Sequence, residues 1–211
     1  ELSQTISGEN RMRKTGLIMA CVCFFATSAA SAGDREGRFA LKGAGAGSCA
    51  DYIRVARNED PQLRQYVGWA NGYFSRLNQT DVDTFDILPW QSSQLLYLLL
   101  ADYCSKNPGT NFGAAVYALS KTLRAQRLTE KSAMSEYSAE DTKVTLYREV
   151  MRRVQQRLNA VSQVGLAVNG DLDAETIEAL KKFQAISGLE PNGVPEEPTL
   201  LQLFYPADSP D

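Results

Sequence analysis

The sequence contains no histidine. Catalytic systems of the Ser-His-Asp and Cys-His types are therefore excluded, and so are metal sites that require an imidazole ligand. Cysteine is scarce, with four residues in 211, two of which fall in an N-terminal segment that we expect to be removed. Basic residues do not outnumber acidic ones, because 22 Lys and Arg stand against 25 Asp and Glu, for a formal net charge of −3. We therefore expect no metal, no cofactor and no nucleic-acid partner.

The apolar run at residues 16–30 is shorter than the roughly 20 residues that a membrane-spanning helix needs. It follows Arg13 and Lys14 and ends in Ala30-Ser31-Ala32, which is a small-x-small cleavage pattern. A positive region, an apolar region and a cleavage site together predict a secretory signal peptide over residues 12–32, and hence a periplasmic protein. A membrane anchor and a lipoprotein are the alternatives.

The remaining sequence is apolar enough for a globular fold, with 44% hydrophobic and 22% charged residues. A chain of 211 residues allows one ordinary domain or two small ones. Residues 33–46 are Gly-rich and predict a flexible lead-in, and residues 129–143 are polar and predict a linker. We therefore expect an all-α fold of two small helical domains, one at 47–128 and one at 144–206.

The exported chain would keep two cysteines, Cys49 and Cys104. In an oxidising compartment they predict one disulfide, and two separate buried thiols are the alternative. The disulfide would link a short helix near 49–57 to the end of a central helix near 91–106. A covalent link of this kind suits a domain whose core is small.

Helical periodicity runs through the first domain. Apolar residues recur at three- and four-residue steps from Leu63 to Leu77, and further apolar stripes predict helices at about 91–106 and 111–128. A cysteine before a Tyr-containing helix and a second cysteine at a helix end resemble HdeA-like exported helical domains. These domains include acid-stress chaperones and periplasmic immunity proteins, so the resemblance implies a protein partner for residues 47–128.

The second domain has three helical stripes and two Asn-Gly turns. Asn169-Gly170 and Asn192-Gly193 are turn dipeptides, and Asp173 stands where a helix N-cap belongs. The order and spacing of its motifs resemble the peptidoglycan-binding-like domain (type 1), although Asn169 replaces a common Asp and Asp173 a common Gly. The resemblance implies a three-helix unit that binds peptidoglycan. The motifs are Val154-Gln155-Gln156-Arg157-Leu158-Asn159, Val168-Asn169-Gly170, Asp173-Ala174-Glu175-Thr176, Ala179-Leu180, Phe183-Gln184, Gly188-Leu189, Asn192-Gly193-Val194 and Thr199-Leu200.

Polar side chains near the turns and helix starts are the candidate ligand contacts. Peptidoglycan offers N-acetylated sugars and peptide carboxylates, which suit amide and cationic partners. The same residues can instead be scaffold, and none of them forms a nucleophile–base pair, so we expect no catalytic residue. The candidates are Asn169, Asp171, Thr176, Gln184 and Asn192, with the cations Arg148 and Lys181 and, beside them, Arg152 and Lys182.

The sequence therefore predicts a non-enzymatic exported protein that binds cell-wall peptidoglycan through its C-terminal domain. One alternative is a periplasmic chaperone or immunity module of the HdeA-like kind. A second is a wall hydrolase in which Asp83 and Asp86, in the acidic loop 80–90, supply the carboxylates. Neither alternative has a specific motif in the sequence.

Overall fold

The computed structural model describes residues 34–36, 38–58 and 60–206. The predicted signal peptide at 12–32 lies outside the described residues. The described residues from Leu41 to Pro206 belong to one compact unit. Its helices are α1 (Cys49–Arg57), α2 (Leu63–Thr80), α3 (Ser93–Lys106), α4 (Phe112–Leu123), α5 (Arg148–Ser162), α6 (Ala174–Ile186) and α7 (Glu197–Phe204), and its strands are β1 (Met134–Ala139) and β2 (Thr142–Tyr147).

Polar side chains cap the N-terminal ends of α1 and α3. The Oγ of Ser48 accepts a hydrogen bond from the backbone N–H of Asp51 (3.0 Å) at the start of α1. The Oγ of Ser92 accepts one from Leu95 (3.1 Å) at the start of α3. Such caps satisfy backbone donors that have no partner within the helix. Among the described residues, no helix is both long and apolar enough to cross a membrane.

The core of α1–α4 is apolar and aromatic, and the disulfide lies inside it. Cys49, at the start of α1, is bonded to Cys104, near the end of α3, and both residues are fully buried. The predicted pairing is therefore confirmed. Around it pack Tyr52, Val55, Tyr66, Ala70, Phe74, Leu77, Ile87, Leu96, Leu100, Phe112, Ala115, Val116 and Leu123.

A short 3₁₀ helix at Gly43–Ala46 precedes α1 and packs on α2. Gly45 is buried, and a Cβ at this position would lie 2.1 Å from Cζ2 of Trp69, so only glycine allows this approach. The last residues of the segment that the sequence predicts as a flexible lead-in, 33–46, are thus ordered against Trp69.

Strands β1 and β2 form an antiparallel hairpin, with Met134 paired to Tyr147 and Ala139 to Thr142. The expectation of an all-α fold is therefore wrong in this detail, although the fold is mostly helical. The hairpin occupies much of the predicted linker at 129–143. Each strand buries one side chain, Tyr137 or Leu146, so the alternation of apolar and polar residues is too short to be visible in the sequence.

Helices α5, α6 and α7 form the expected three-helix unit, and the hairpin packs on it. Their shared core holds Tyr137 and Leu146 from the hairpin and Val150, Met151, Val154, Leu158, Leu166, Ala179, Leu180, Leu200 and Leu203 from the helical part. Trp90 and Leu95, from the segment before α3 and from α3, also belong to this core. The exact domain limits, 47–128 and 144–206, stay a prediction.

Candidate functional site

The loop between α5 and α6 is organised by one buried side chain, Gln155 of α5. Its Nε2 donates to Oδ1 of Asn169 (3.0 Å) and to the carbonyl of Asp171 (2.9 Å), and it lies 3.3 Å from Oγ1 of Thr176. Its Oε1 accepts from the backbone N–H of Gly170 (2.8 Å). The side-chain amide of Gln155 thus uses both its donor and its acceptor in hydrogen bonds to the turn, as a buried amide requires.

The loop between α6 and α7 repeats this arrangement around Gln184 of α6. The Nε2 of Gln184 donates to Oδ1 of Asn192 (3.0 Å), to the carbonyl of Val194 (2.9 Å) and to Oγ1 of Thr199 (3.0 Å). Its Oε1 accepts from the backbone N–H of Gly193 (2.8 Å). The two Asn-Gly turns were predictable from the sequence, whereas this role of the glutamines was not predicted. The available signal was a glutamine before each Asn-Gly pair and a threonine after it.

Both turn glycines are required by geometry. Gly170 has φ of +81° and Gly193 of +75°. A Cβ on Gly170 would lie 2.9 Å from the carbonyl oxygen of Arg148, and one on Gly193 would lie 2.7 Å from Cγ2 of Ile177. Each turn therefore presses its backbone against the preceding helix, where a side chain has no room.

Burial changes the interpretation of two candidate contacts. Thr176 is 0% exposed and Gln184 is 1% exposed, and both side chains are engaged in the turns. A ligand on the surface cannot reach them, so we assign them a structural role. Asn169 is exposed and Asn192 half-buried, but the Oδ1 of each already accepts a hydrogen bond inside its own loop.

Two of the candidate cations, Arg148 and Lys181, are paired within the protein. Arg148 forms an ion pair with Asp171 (2.9 Å) and donates to the carbonyl of Asn169 (3.1 Å). Lys181 forms one with Glu140 at the tip of the hairpin (2.7 Å). The hydrogen bond between them raises the pKa of Lys181 and lowers the pKa of Glu140. These charges are compensated, so they attract a charged ligand less than free ones would.

The hairpin also covers the first turn. The hydroxyl of Tyr137 donates to the carbonyl oxygen of Gly170 (2.9 Å), and burial raises the pKa of this tyrosine. With Glu140 bonded to Lys181, the hairpin is tied to both α6 and the α5–α6 loop. We therefore assign the first turn, Asn169-Gly170, a structural role, since the backbone groups of Gly170 already have hydrogen-bond partners within the protein.

An open groove lies on the other side of the α5–α6 loop. It has a volume of about 430 Å³ and runs between this loop and α6. Leu166 and Ala179 are buried beneath it, whereas Glu175, Glu178 and Lys182 are exposed. Within the part of the chain that the structure describes, these three charged side chains take part in no salt bridge. The full lining is Val164, Gly165, Leu166, Ala174, Glu175, Glu178, Ala179 and Lys182.

The N-terminal end of α6 borders this groove. Oδ1 of Asp173 accepts from the backbone N–H of Thr176 (2.8 Å), which confirms the predicted N-cap. This hydrogen bond lowers the pKa of Asp173. The cap fixes the first turn of α6 and hence the position of Glu175 at the rim of the groove.

The acidic loop before α3 is engaged in structural contacts. Asp81 pairs with Arg124. The carboxylate of Asp86 accepts from the backbone N–H of Leu88 (3.0 Å) and from the hydroxyl of Tyr147 (3.2 Å). Among the described residues, no three His, Cys, Asp or Glu side chains are grouped so that they could hold a metal ion.

Comparison with known proteins agrees with this geometry. Residues 148–203 match the model of the peptidoglycan binding domain family. The C-terminal part of the chain is therefore similar to this family, as its motifs predict, and the match runs from the start of α5 into α7. Neither the comparison with curated proteins nor that with solved structures gives a match. The resemblance of residues 47–128 to HdeA-like domains is not confirmed and stays a prediction.

Proposed function

We propose that this protein binds cell-wall peptidoglycan through α5–α7 and carries out no reaction on it. The observation that carries the proposal is the family match over 148–203, in a domain that has an open groove between the α5–α6 loop and α6. A shallow groove gives weak binding at one site. Repeating units of a polymer raise the overall affinity when several protein molecules or several contacts engage it.

Export to the periplasm is the second part of the proposal. It is supported by the signal-peptide pattern at 12–32 and by the buried bond between Cys49 and Cys104, since disulfides persist in oxidising compartments. The test is to extract the protein from cells under acidic conditions and to alkylate it in denaturant without reduction, because burial alone would shield free thiols in the folded protein. We expect no alkylation of these two cysteines. Alkylation of both in the unfolded protein contradicts export.

That the protein is not an enzyme is the third part of the proposal, and features of its side chains support it. The chain has no histidine, and Asp81 and Asp86 of the acidic loop already hold structural partners. Two carboxylates must flank a sugar to cleave its glycosidic bond. Zymography on wall substrate tests this, and clearing that disappears with Asp83→Asn would reinstate the hydrolase.

Co-sedimentation of residues 33–211 with insoluble peptidoglycan tests wall binding. At neutral pH and low salt, we expect a saturable fraction of the protein in the pellet. Cellulose serves as the control polymer, because it has neither N-acetyl groups nor peptides. Protein that stays in the supernatant with peptidoglycan, or that sediments equally with cellulose, contradicts the proposed function.

A further inference from the structure

We propose that the groove beside α6 binds the stem peptide of peptidoglycan, at a diamino acid whose side-chain amine is not cross-linked. This inference rests on the proposed function, because it names the part of the wall that the domain recognises. The amine lies between Glu175 and Glu178, and a peptide carboxylate lies at Lys182. The glycan strand stays outside the groove.

The charges at the rim carry the first step of the argument. Glu175, Glu178 and Lys182 are three and four residues apart on α6, and such spacings place side chains on one helix face. The neighbouring Lys181 is turned to Glu140 of the hairpin and is neutralised there. The groove therefore presents two carboxylates and one ammonium group to a ligand, which matches a molecule that bears both an amine and a carboxylate.

The floor of the groove carries the second step. Its apolar residues, Val164, Leu166, Ala174 and Ala179, can cover the methyl and methylene groups of short peptide side chains. None of the eight lining residues is aromatic. Sugar rings are usually held against aromatic faces, so this lining suits a peptide better than a glycan.

The size of the groove agrees with a short peptide. Its volume of about 430 Å³ falls within the range of roughly 300–1,000 Å³ that small-molecule sites occupy. The peptides are branches of a polymer, so each wall fragment presents many copies of them. Binding through the peptide therefore gains from the number of free amines in the wall, and falls as cross-linking consumes them.

The experiment uses the co-sedimentation assay with four variants and three forms of the wall. Glu175→Gln/Glu178→Gln removes both carboxylates, and Lys182→Gln removes the ammonium group. Glu190→Gln and Lys131→Gln are matched controls at exposed positions outside the groove lining. The wall is used intact, with its free amines acetylated, and as glycan strands from which an amidase has removed the peptides and which are then coupled to beads so that they still sediment. Circular dichroism checks that each variant is folded.

We expect the double variant and the acetylated wall each to weaken binding by about fivefold, because two exposed charge pairs are lost in both cases. Lys182→Gln weakens binding less, the control variants leave it unchanged, and the glycan without peptides does not retain the protein. If intact wall binds but acetylated and peptide-free forms bind equally well, the stem-peptide inference is overturned and the proposed function stands. If intact wall does not bind the protein, the proposed function itself fails.

Discussion

Glu197 at the start of α7 accepts two hydrogen bonds from Ser92 at the start of α3, although 105 residues separate them. One carboxylate oxygen is 2.6 Å from the backbone nitrogen of Ser92, and the other is 2.9 Å from its Oγ. The same carboxylate stands in the first turn of α7. It therefore lies near the positive ends of two helix dipoles and joins the peptidoglycan-binding-like domain to the N-terminal helices.

Replacing Glu197 by Ala tests this link. We expect the free energy of unfolding to fall by about 1–2 kcal/mol, since a charge-assisted contact is lost and an N–H of Ser92 is left without its acceptor. Urea denaturation measures the change, with Glu190→Ala as the control at an exposed position. Equal stability of the two variants would show that the contact adds nothing to the fold.

We expect a larger loss of stability when Gln184, the buried glutamine that holds the second turn, is replaced. Gln184→Leu keeps the approximate volume but leaves the N–H of Gly193 and the hydroxyl of Thr199 without the partner that they have now. We expect a loss of about 2–4 kcal/mol in the free energy of unfolding. Gln156→Leu, at an exposed position of α5, is the matched control and changes stability by about 0.5 kcal/mol or less. A neutral Gln184→Leu would contradict the structural role that we assign to this residue.

Replacing Gly188 and Gly193 by Ala separates the cost of an unfavourable backbone conformation from the cost of a steric clash. Gly188 and Gly193 both have positive φ, +70° and +75°, but only at Gly193 would a Cβ meet a neighbouring atom at 2.7 Å. We expect Gly188→Ala to cost about 1 kcal/mol from conformation alone, and Gly193→Ala to cost at least about 1 kcal/mol more. Thermal unfolding of both variants measures the difference. Gly165→Ala, where a Cβ meets nothing within 4 Å, is the control.

The N-cap of α6 makes stability depend on pH. The pKa of Asp173 is below its ordinary value of 3.8 in the folded protein, because the carboxylate accepts the hydrogen bond from Thr176. Its contribution is therefore complete above pH 3.8 and is lost as the pH falls through the lower, folded pKa. Asp173→Asn keeps a side-chain acceptor that does not titrate.

We expect wild type to be more stable than Asp173→Asn by about 0.5 kcal/mol at pH 6, because the charge also favours the helix N-terminus. That advantage becomes smaller at pH 2.5, which lies below the ordinary pKa of 3.8, because protonation of the carboxyl group then begins to compete with the cap. Urea unfolding at both pH values provides the measurement. A difference between the two proteins that is the same at both pH values would mean that Asp173 does not titrate with folding.

Helix positions were predictable because their signals are local. The apolar stripe from Leu63 to Leu77 recurs over four turns, and it coincides with most of α2. The cap at Asp173 and the turn at Asn192-Gly193 depend on a few neighbouring residues and so act in the same way wherever the helix packs. The same holds for the motif order that identified the C-terminal domain.

The hairpin and the groove could not be predicted in this way. Strand β1 buries only Tyr137, whose inward position depends on a hydrogen bond to Gly170 in a different loop. From the sequence, Lys181 was a candidate for ligand binding. In the folded protein it pairs with Glu140 of the hairpin, a contact that the sequence does not show. Lys182, one residue later, stays in the groove with Glu175 because it points to another face of the same helix.

The sequence by itself determined the helices, the turn glycines and the motifs by which the C-terminal part resembles the peptidoglycan binding domain family, because each depends on residue types at short, fixed spacings. The cysteine pair was predictable for another reason, since only two cysteines follow the predicted signal peptide. Only the tertiary structure decided which polar groups are buried and hydrogen-bonded within the protein and which are exposed to a ligand. Gln184 and Glu178 are both polar residues of α6, yet one is buried among three acceptors and the other is exposed at the groove. That difference arises from the packing of α6 against its neighbours, which brings together residues that are distant in the chain.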